Sequence, residues 1–311
     1  MKKISIIVPC YNESASIPLL YQELSRLIKA ESMYEWELLF VNDGSKDETL
    51  QVIQSLSARD TSIAYVDLSR NYGKETAMLA GFDYAQGDAC IVMDADLQHP
   101  PMVAQEMLRK WEEGYDDVYG KRKTRAKESW LRKSLSLAFY HILQKSTKVD
   151  VLPNVGDFRL LDRKCIEALR QMRETDRYTK GLYCLIGFRK TFVEFETQDR
   201  VSGKSSWTWR GLVALAMEGI MSFTIAPLRI ATWVGAITAA GAFLYAFYFL
   251  IKTLMVGDPV RGFPTLAILI LFFGGAQLLA LGVLGEYVGR IFHESKHRPN
   301  YFVQTYYSYK K

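Results

Sequence analysis

Three patterns that would assign a familiar chemistry are missing from this sequence. The four cysteines, Cys10, Cys90, Cys165 and Cys184, are scattered and form no C-x-x-C pair, which argues against a zinc site or a disulfide framework. No G-x-G-x-x-G follows the first apolar run, so a Rossmann dinucleotide site is not expected. Gly203-Lys204-Ser205 matches the end of a P-loop, but position 198 is Gln where that motif needs Gly. We therefore expect buried, reduced thiols in a cytosolic compartment.

The sequence also has little net charge, and a cleavable signal peptide is not expected at its start. A formal net charge of +5 over 311 residues gives no argument for binding nucleic acid. Met1-Lys2-Lys3 precedes an apolar run of only six residues, 4–9, which is shorter than the core of a signal peptide. The N-terminal domain is therefore expected to stay on the side where it is made, and basic residues near a bilayer are expected to meet anionic lipid head groups.

Short apolar runs alternate with amphipathic segments through the first part of the chain. The runs 4–9, 37–41, 63–68 and 89–93 predict strands, and the segments between them predict helices. This alternation predicts an α/β domain with a parallel or mostly parallel, doubly wound sheet. Polar residues follow the first, second and fourth of these strands, and they are expected to meet at one sheet edge, the usual position of a nucleotide crevice.

The densest group of metal-type ligands follows the fourth predicted strand, in Asp94-Ala95-Asp96-Leu97-Gln98. Residues two apart face one side of an extended chain, so Asp94, Asp96 and Gln98 are expected to point the same way. Three oxygen donors in such a row suit a hard divalent cation, Mg²⁺ or Mn²⁺, that holds a phosphate ester. The alternative is a solvated polar turn after a strand.

The polarity of the chain changes after about residue 205. Between residues 230 and 289, only Lys252, Asp258, Arg261 and Glu286 carry a charge. Two apolar stretches, 227–252 and 264–288, each exceed the roughly 20 residues that cross a ~30 Å hydrocarbon core. With the short segment 253–263 between them they predict a transmembrane hairpin, and the alternative is a hairpin in a soluble core.

Basic residues flank the predicted hairpin on its terminal side. Arg210, Arg229, Arg290, Lys296, Arg298, Lys310 and Lys311 lie there, against Lys252 and Arg261 in the connecting segment. The positive-inside rule then places the N-terminal domain and both termini in the cytosol, in a multi-pass protein of the inner (plasma) membrane. Two amphipathic segments, 129–145 and 207–226, are expected to lie at the membrane surface; for the first, packing against the core is the alternative.

Several motifs occur together and point to one family. They are Val8-Pro9-Cys10-Tyr11-Asn12-Glu13, Val41-Asn42-Asp43-Gly44-Ser45, Asn71-Tyr72-Gly73-Lys74-Glu75, Asp94-Ala95-Asp96-Leu97-Gln98, Val155-Gly156-Asp157-Phe158-Arg159-Leu160 and Arg200-x-x-Gly203-x-Ser205. In this combination the chain resembles the family 2 glycosyltransferases of GT-A fold. Within them it resembles the polyprenyl-phosphate sugar transferases, which include dolichyl-phosphate mannose synthase and the bactoprenol glucosyltransferases. Asn42 departs from the pattern, because many relatives carry an acidic residue there, which leaves Asp43 as the carboxylate for base recognition.

The resemblance covers essentially the whole chain and implies a division of labour along it. It implies a GT-A domain over 1–206, then the hairpin, then a cytosolic tail over 289–311. It implies a sugar nucleotide donor, with UDP-glucose the favoured candidate. The residues that would bind the donor are Pro9, Tyr11, Glu13, Asp43, Asp94 and Ala95. It implies Mg²⁺ or Mn²⁺ on Asp94, Asp96 and Gln98, phosphate contacts from Arg122, Arg200 and Lys204, and catalytic roles for Asp157, Asp96 and Arg159.

The acceptor that the resemblance implies is a polyprenyl phosphate such as undecaprenyl phosphate, held by the basic stretch 122–132 and Arg290. A single in-line displacement would invert the configuration of the sugar. An α-linked donor would then give a β-linked lipid-phosphate sugar, for modification of O-antigen or another envelope glycan. The resemblance also implies Asp157 as a general base. A phosphate monoester with a second pKa of about 6 is already anionic and needs little help from a base, so the alternative is that Asp157 orients Arg159 or the sugar hydroxyls. The family also suggests a homo-oligomer such as a tetramer.

Two alternatives stay open at this point. The same scaffold serves other donors, such as GDP-mannose or a UDP-amino sugar, and no residue pattern separates glucose from its epimers. From a different class, the chain is a non-catalytic membrane scaffold or flippase component, although its intact acidic motif argues against this. A processive polysaccharide synthase is disfavoured, because no Q-x-x-R-W motif occurs.

Overall fold

The computed structural model describes residues 1–123, 155–175, 177–196, 226–256 and 262–309. The chain forms two compact units. One comprises Met1–Leu212 together with Pro299–Lys311, and the other comprises Val213–Arg298. The predicted surface segment 129–145 lies outside the described residues. So do all but the last residue of the predicted segment 207–226, and residues 257–261 of the predicted connecting segment 253–263.

The first unit is built on a sheet of eight described strands with helices between them. In chain order these elements are β1 (Lys3–Cys10), α1 (Ile17–Ala30), β2 (Glu35–Asn42), α2 (Thr49–Ser57), β3 (Ile63–Leu68), α3 (Lys74–Tyr84), β4 (Ala89–Val92), α4 (Val103–Glu112), β5 (Asp117–Arg122), β6 (Val155–Asp162), α5 (Arg163–Gln171), α6 (Thr179–Leu185), β7 (Lys190–Phe195) and, after the second unit, β8 (Val303–Tyr307). The four strands predicted in the first part of the chain are confirmed.

The sheet is mixed, with strand order β7-β5-β6-β4-β1-β2-β3-β8. β1 runs parallel to β2 and β4, β2 to β3, and β5 to β7. β6 is antiparallel to both β4 and β5, and β8 is antiparallel to β3. The parallel prediction is therefore confirmed for β1 to β4 and too simple for the rest, because the apolar pattern of a strand does not reveal its direction.

Helices cover both faces of the parallel strands. Ile17, Leu20, Leu24 and Leu27 recur at the helical spacing that gives α1 one apolar stripe, and all four are buried. α3 packs on the other face, against β1 and β2. Gly81 permits this approach, since a Cβ there would collide with the Cγ2 atom of Ile7. A strand sandwiched in this way is apolar on both faces, as the sequence of β1 is.

The second unit contains two long helices, α7 (Ala226–Val256) and α8 (Phe263–Ser295), which contact each other. Their large apolar side chains are widely exposed, among them Trp233, Ile237 and Leu278. Among the described residues, one segment, Phe272–Ser295, is long and apolar enough to cross a membrane by length and composition. The second predicted span stays a prediction.

The end of the chain, for which a cytosolic tail over 289–311 was predicted, contains the last turns of α8 and one strand. α8 continues to Ser295, well past the predicted boundary at residue 288, and β8 then joins the sheet of the first unit. Tyr307 stacks on Tyr65 of β3, with ring centroids 5.4 Å apart. Cys10, Cys90 and Cys165 are buried, as expected, whereas Cys184 is half-buried; all four are free.

Candidate active site

The loops that follow β1 and β2 are joined by hydrogen bonds. The backbone N–H of Asn12 donates to Ser45 Oγ at 3.0 Å, and Asn12 Oδ1 accepts from the backbone N–H of Lys46 at 2.8 Å. Asn12 has φ 57°, a left-handed conformation that asparagine tolerates better than most residues. The expected convergence of polar strand ends is therefore present at this edge of the sheet.

Asp43, at the end of β2, fastens the loop before α3. Its Oδ1 accepts the backbone N–H of Tyr72 at 2.7 Å, and its Oδ2 accepts that of Gly73 at 2.9 Å. Burial raises the pKa of Asp43, although both N–H donors act in the opposite direction. Gly44 lies against the backbone of Arg70 so closely that a Cβ would clash, and its φ is +60°. In this structure Asp43 is an anchor of the loop; base recognition by Asp43 stays a prediction.

The stretch Asp94 to Gln98 is a turn, so the expected extended row is wrong. β4 ends at Val92, residues 95–97 form a turn and a bend, and Leu97 adopts a left-handed φ of 60°. Asp96 Oδ1 accepts the backbone N–H of Gln98 at 3.1 Å inside this turn. Burial nevertheless alternates along it: Asp94, Asp96 and Gln98 are half-buried, whereas the intervening Ala95 and Leu97 are buried. The three oxygen donors are therefore the accessible side chains, as expected.

Lys74, the first residue of α3, connects this turn to β6. Its Nζ lies 2.6 Å from Asp94 Oδ1 and 2.9 Å from Asp157 Oδ2. Asp157 is only 8% exposed. Burial alone would raise the pKa of Asp157, but the Lys74 and Lys180 ammonium groups outweigh it and hold this pKa at about 2. Asp157 is therefore a carboxylate anion with little tendency to accept a proton at neutral pH.

The donor chemistry of the turn fits a hard divalent ion. Within the described ranges, no group of three or more His, Cys, Asp and Glu side chains could hold a metal by itself. Mg²⁺ is commonly held by one or two carboxylates, with substrate phosphates and water as its other ligands. Asp94 and Asp96 supply two carboxylates, Gln98 adds an amide, and the Lys74 ammonium on Asp94 shows that positive charge is favoured here.

His99 lies beneath the turn and was not singled out by sequence analysis. Its ring stacks on Phe158 at 4.9 Å and meets the edge of Phe195 at 5.7 Å between centroids. Neither ring nitrogen has a hydrogen-bond partner among the residues that the structure describes. Burial lowers the pKa of His99, Asp94 raises it, and Arg122 lowers it. Arg122, a predicted phosphate ligand at the end of β5, is thus within electrostatic range of this region.

Arg159, predicted as catalytic, lies in a buried ion pair. Its Nη1 donates to both carboxylate oxygens of Asp117, at 3.0 and 3.2 Å, and its guanidinium carbon lies 3.6 Å from the ring centroid of Tyr183. Asp117 belongs to β5 and Arg159 to β6, so the pair joins two neighbouring strands. With 4% of Arg159 exposed, the geometry favours a supporting role over contact with a substrate.

The structure describes some of the remaining predicted site residues and not others. Pro9 at the end of β1 is half-buried, Ala95 is buried and Tyr11 is 41% exposed on the same edge. Glu13 Oε2 accepts from Ser16 Oγ at 2.8 Å, at the start of α1. Arg200 and Lys204 lie outside the described residues. The roles assigned to these residues stay predictions.

Lys74 and Glu75 are the functional candidates that sequence reasoning missed. Glu75 Oε2 accepts the backbone N–H of Thr179 at 2.9 Å, which ties the start of α3 to the start of α6. The motif that contains both residues served as a family signature. The motif itself does not predict that Lys74 contacts two carboxylates that lie about 20 and 80 positions further along the chain.

The fold and this acidic turn define an α/β protein of the GT-A type. The crystal structure of glucosyl-3-phosphoglycerate synthase from Mycobacterium tuberculosis, solved with Mn²⁺, UDP and phosphoglyceric acid, superposes with a TM-score of 0.51 at 17% identity. The match covers 71% of this chain and 76% of that one. At such low identity, this similarity shows the fold alone.

Sequence comparison then gives the family. The model described as Glycosyl transferase family 2 matches residues 5–170, and the model described as GtrB C-terminal hairpin matches residues 226–291. The bactoprenol glucosyl transferase of Shigella phage SfV is 42% identical over 303 residues, 97% of this chain and 98% of the relative. An uncharacterized glycosyltransferase of Synechocystis is 42% identical over 301 residues, 97% and 94% of the two chains. The chain belongs to glycosyltransferase family 2.

Proposed function

We propose that this protein is a membrane-bound, inverting glycosyltransferase that moves glucose from UDP-glucose to a polyprenyl phosphate such as undecaprenyl phosphate. The observation that carries the proposal is the acidic turn at the carboxyl edge of the sheet, joined through Lys74 to the buried Asp157. Support for this acceptor and sugar comes from relatives named bactoprenol glucosyl transferase that align over nearly the whole chain.

The reaction is a single displacement at the anomeric carbon of the sugar. A phosphate oxygen of the lipid forms a bond to C1 while the bond from C1 to the diphosphate oxygen breaks, and UDP leaves with the electron pair. An α-linked donor then gives a β-linked product. A divalent ion, Mg²⁺ or Mn²⁺, held by Asp94, Asp96 and Gln98 would neutralise the charge that develops on the leaving diphosphate.

Asp157 acts in this proposal as a positioning anion. With a pKa of about 2 it is a poor proton acceptor, and the acceptor phosphate has little need of one. Its Oδ2 holds Lys74, while its Oδ1 is buried and has no hydrogen-bond partner within the described part of the chain. This second oxygen is suited to accept a hydrogen bond from a sugar hydroxyl.

The path of the chain supports a hairpin with two membrane crossings. Residues before and after the second unit belong to the same folded unit, because β8 pairs with β3. A folded unit lies on one side of a membrane, so the intervening segment crosses an even number of times. One crossing by Phe272–Ser295 then requires a second, and residues 230–251 of α7 contain no charged side chain.

The proposed topology places the first unit and both termini in the cytosol of a bacterial cell, at the inner membrane. Reporter fusions test it. Alkaline phosphatase, which is active only outside the cytosol, is expected to be active when inserted after residue 258 and inactive when fused after residue 311. The reverse pattern, or activity at both positions, would contradict the two-span arrangement.

A donor panel tests the proposed reaction. Purified full-length protein is incubated with undecaprenyl phosphate, Mg²⁺ or Mn²⁺ and one sugar nucleotide at a time, and the lipid product is identified by mass. We expect a hexose product from UDP-glucose, loss of turnover with EDTA, and loss of turnover in Asp94→Asn but not in Glu23→Gln, a half-buried carboxylate of α1 that is paired with Arg26.

Other results of the panel have definite meanings. Preference for GDP-mannose or a UDP-amino sugar would correct the donor and leave the reaction class unchanged. No nucleotide release with any common donor would favour a membrane scaffold. The oligomeric state, which the family suggests is a homo-oligomer, is read independently from the mass of the detergent-solubilised particle.

A further inference from the structure

The Lys74 ammonium lies between two carboxylates, Asp94 and Asp157, which have different roles in the proposed function. Asp94 is a proposed metal ligand, Asp157 is the buried positioning anion, and Nζ lies within 2.9 Å of both. The side chain of Lys74 is 42% exposed, whereas that of Asp157 is 10% exposed. The cation is therefore the partner with room to move.

The backbone beneath Lys74 is held in place, so a movement would be confined to its side chain. Asp43 binds the two N–H groups that immediately precede Lys74, and Gly44 lies tightly against the same loop. On its other side, Glu75 is bonded to the start of α6. A lysine stem has four carbons and several rotatable bonds, and its ammonium binds phosphate as a point charge without a fixed geometry.

A divalent ion on Asp94 changes the electrostatics of this arrangement. It brings two positive charges to the carboxylate whose Oδ1 already holds an ammonium at 2.6 Å. Two cations that bind the same carboxylate repel each other even in bulk water, and more strongly in a partly buried site. The ion and the ammonium therefore compete for Asp94, and the phosphate groups that arrive with the ion offer the ammonium a new partner.

We propose that Lys74 is a resident counter-cation of this site: it balances Asp94 and Asp157 before substrates bind, competes with the divalent ion for Asp94, and passes to a substrate phosphate oxygen once the ion is bound. This inference rests on the proposed function, since it takes a phosphate-bearing substrate and a metal as given. The phosphate belongs either to the sugar nucleotide or to the lipid, and the experiment separates these two sources.

The first measurement is Mn²⁺ binding to the full-length protein in detergent without any substrate, read from the signal of free Mn²⁺ in electron paramagnetic resonance. We expect Lys74→Met to bind Mn²⁺ at least about fivefold more tightly than the wild type, because one competing charge is removed. Lys74→Arg keeps the charge and is expected to stay near the wild type. Lys164→Met is the matched control, because Lys164 forms an equally short ion pair with Asp116.

The second measurement separates the two phosphate sources at saturating Mn²⁺. If Lys74 passes to the nucleotide, Lys74→Met weakens UDP binding by about tenfold or more in calorimetry. If it passes to the lipid, UDP binding is unchanged and the KM for the polyprenyl phosphate rises by a similar factor. Either result supports the proposal, and unchanged values in both arms would overturn the transfer to phosphate.

Weaker or unchanged Mn²⁺ binding in Lys74→Met, in protein with a wild-type circular dichroism spectrum, would overturn the competition. If Lys74→Met misfolds, Lys74→Gln, which also removes the charge, takes its place in the same measurement. The Mn²⁺ measurement does not depend on which sugar is transferred. A chain that binds Mn²⁺ as expected but transfers no sugar would refute the proposed function and leave the competition at Asp94 standing.

Discussion

The surroundings of Asp157 keep its carboxylate in the ionised form. It is buried beside Lys74 and within range of Lys180, and these cations more than offset the cost of burying the anion. A group with these properties holds other groups in place, whereas a general base works best when its pKa lies near the working pH. The environment of Asp157 thus favours positioning over proton transfer.

Replacing Asp157 with Asn is expected to reduce the single-turnover rate by less than about 100-fold, the lower end of what a general base contributes. The amide keeps an acceptor oxygen for a sugar hydroxyl but frees Lys74 from one of its two carboxylates. UDP binding with Mn²⁺ serves as the control for an intact site. A loss of several orders of magnitude with unchanged UDP binding would assign Asp157 the role of a base.

The pH profile gives an independent test of the same residue. The pKa of Asp157 is about 2, against an ordinary value of 3.8, so Asp157 stays ionised throughout the usual assay range. We expect kcat/KM to fall below a pH of about 6, where phosphate monoesters gain a proton, with no inflection from Asp157. Asp157→Asn is expected to keep this acid limb, and its disappearance would contradict the assignment.

The same pKa sets the sign of the effect on stability. Because the folded value lies below the ordinary one, ionised Asp157 stabilises the fold above a pH of about 3.8, and this stabilisation is lost as the pH falls towards 2.

At the scale of elements, the pair of Asp117 and Arg159 joins β5 to β6 inside the sheet. Both side chains are almost fully buried, at 0% and 5% exposure. Burial raises the pKa of Asp117, and Arg159 lowers it. Removing one partner leaves an uncompensated buried charge, which is far more costly than the pair itself.

Arg159→Leu is therefore expected to destabilise the protein by roughly 3–5 kcal/mol. The double variant Arg159→Leu, Asp117→Leu is expected to recover most of that loss, because no charge is left unpaired. The measurement is thermal unfolding in detergent, with the transfer rate recorded for the same samples. A large loss of rate in the double variant at restored stability would show that Arg159 acts on the substrate after all.

The sequence predicted the four parallel strands and the position of the acidic residues after β4, though not their turn, because both depend on local patterns. The β-branched residues of β1, the apolar residues of β3 and the spacing of Asp94 and Asp96 can each be recognised within a few positions of the sequence. The position of Lys74 depends on how α3 packs on β1 and on where β6 enters the sheet. Such placement follows from packing between distant segments, which no short motif contains.

At the scale of the whole molecule, the chain leaves its first unit for the two long helices and returns to it. β8 pairs antiparallel with β3, and tyrosines in β8 and just before it contact α3. Tyr306 lies 4.6 Å from Tyr84 between ring centroids, and Tyr301 donates a 2.7 Å hydrogen bond to Asp83 Oδ2. β8 is therefore an integral strand of the first unit.

Tyr307→Ala is expected to destabilise the protein by on the order of 1 kcal/mol, since it removes the cross-strand stack on Tyr65. Ending the chain after Pro299 is expected to cost several times more, because the whole strand is lost. Thermal unfolding of purified protein measures both effects, and a chain that ends after Tyr309 is the control. Equal stability of the Pro299 and Tyr309 truncations would show that β8 contributes nothing to the fold.

The return of the chain to β3 has a consequence for biosynthesis. Residues 303–307 leave the ribosome only after both long helices have been made. Until then the outer edge of β3 presents unpaired backbone N–H and C=O groups, which can pair with another chain. The domain that precedes the hairpin thus closes its sheet last, after translation of the hairpin is complete. A nascent chain that stalls within the hairpin keeps an open strand edge, which exposes it to aggregation and to proteolysis.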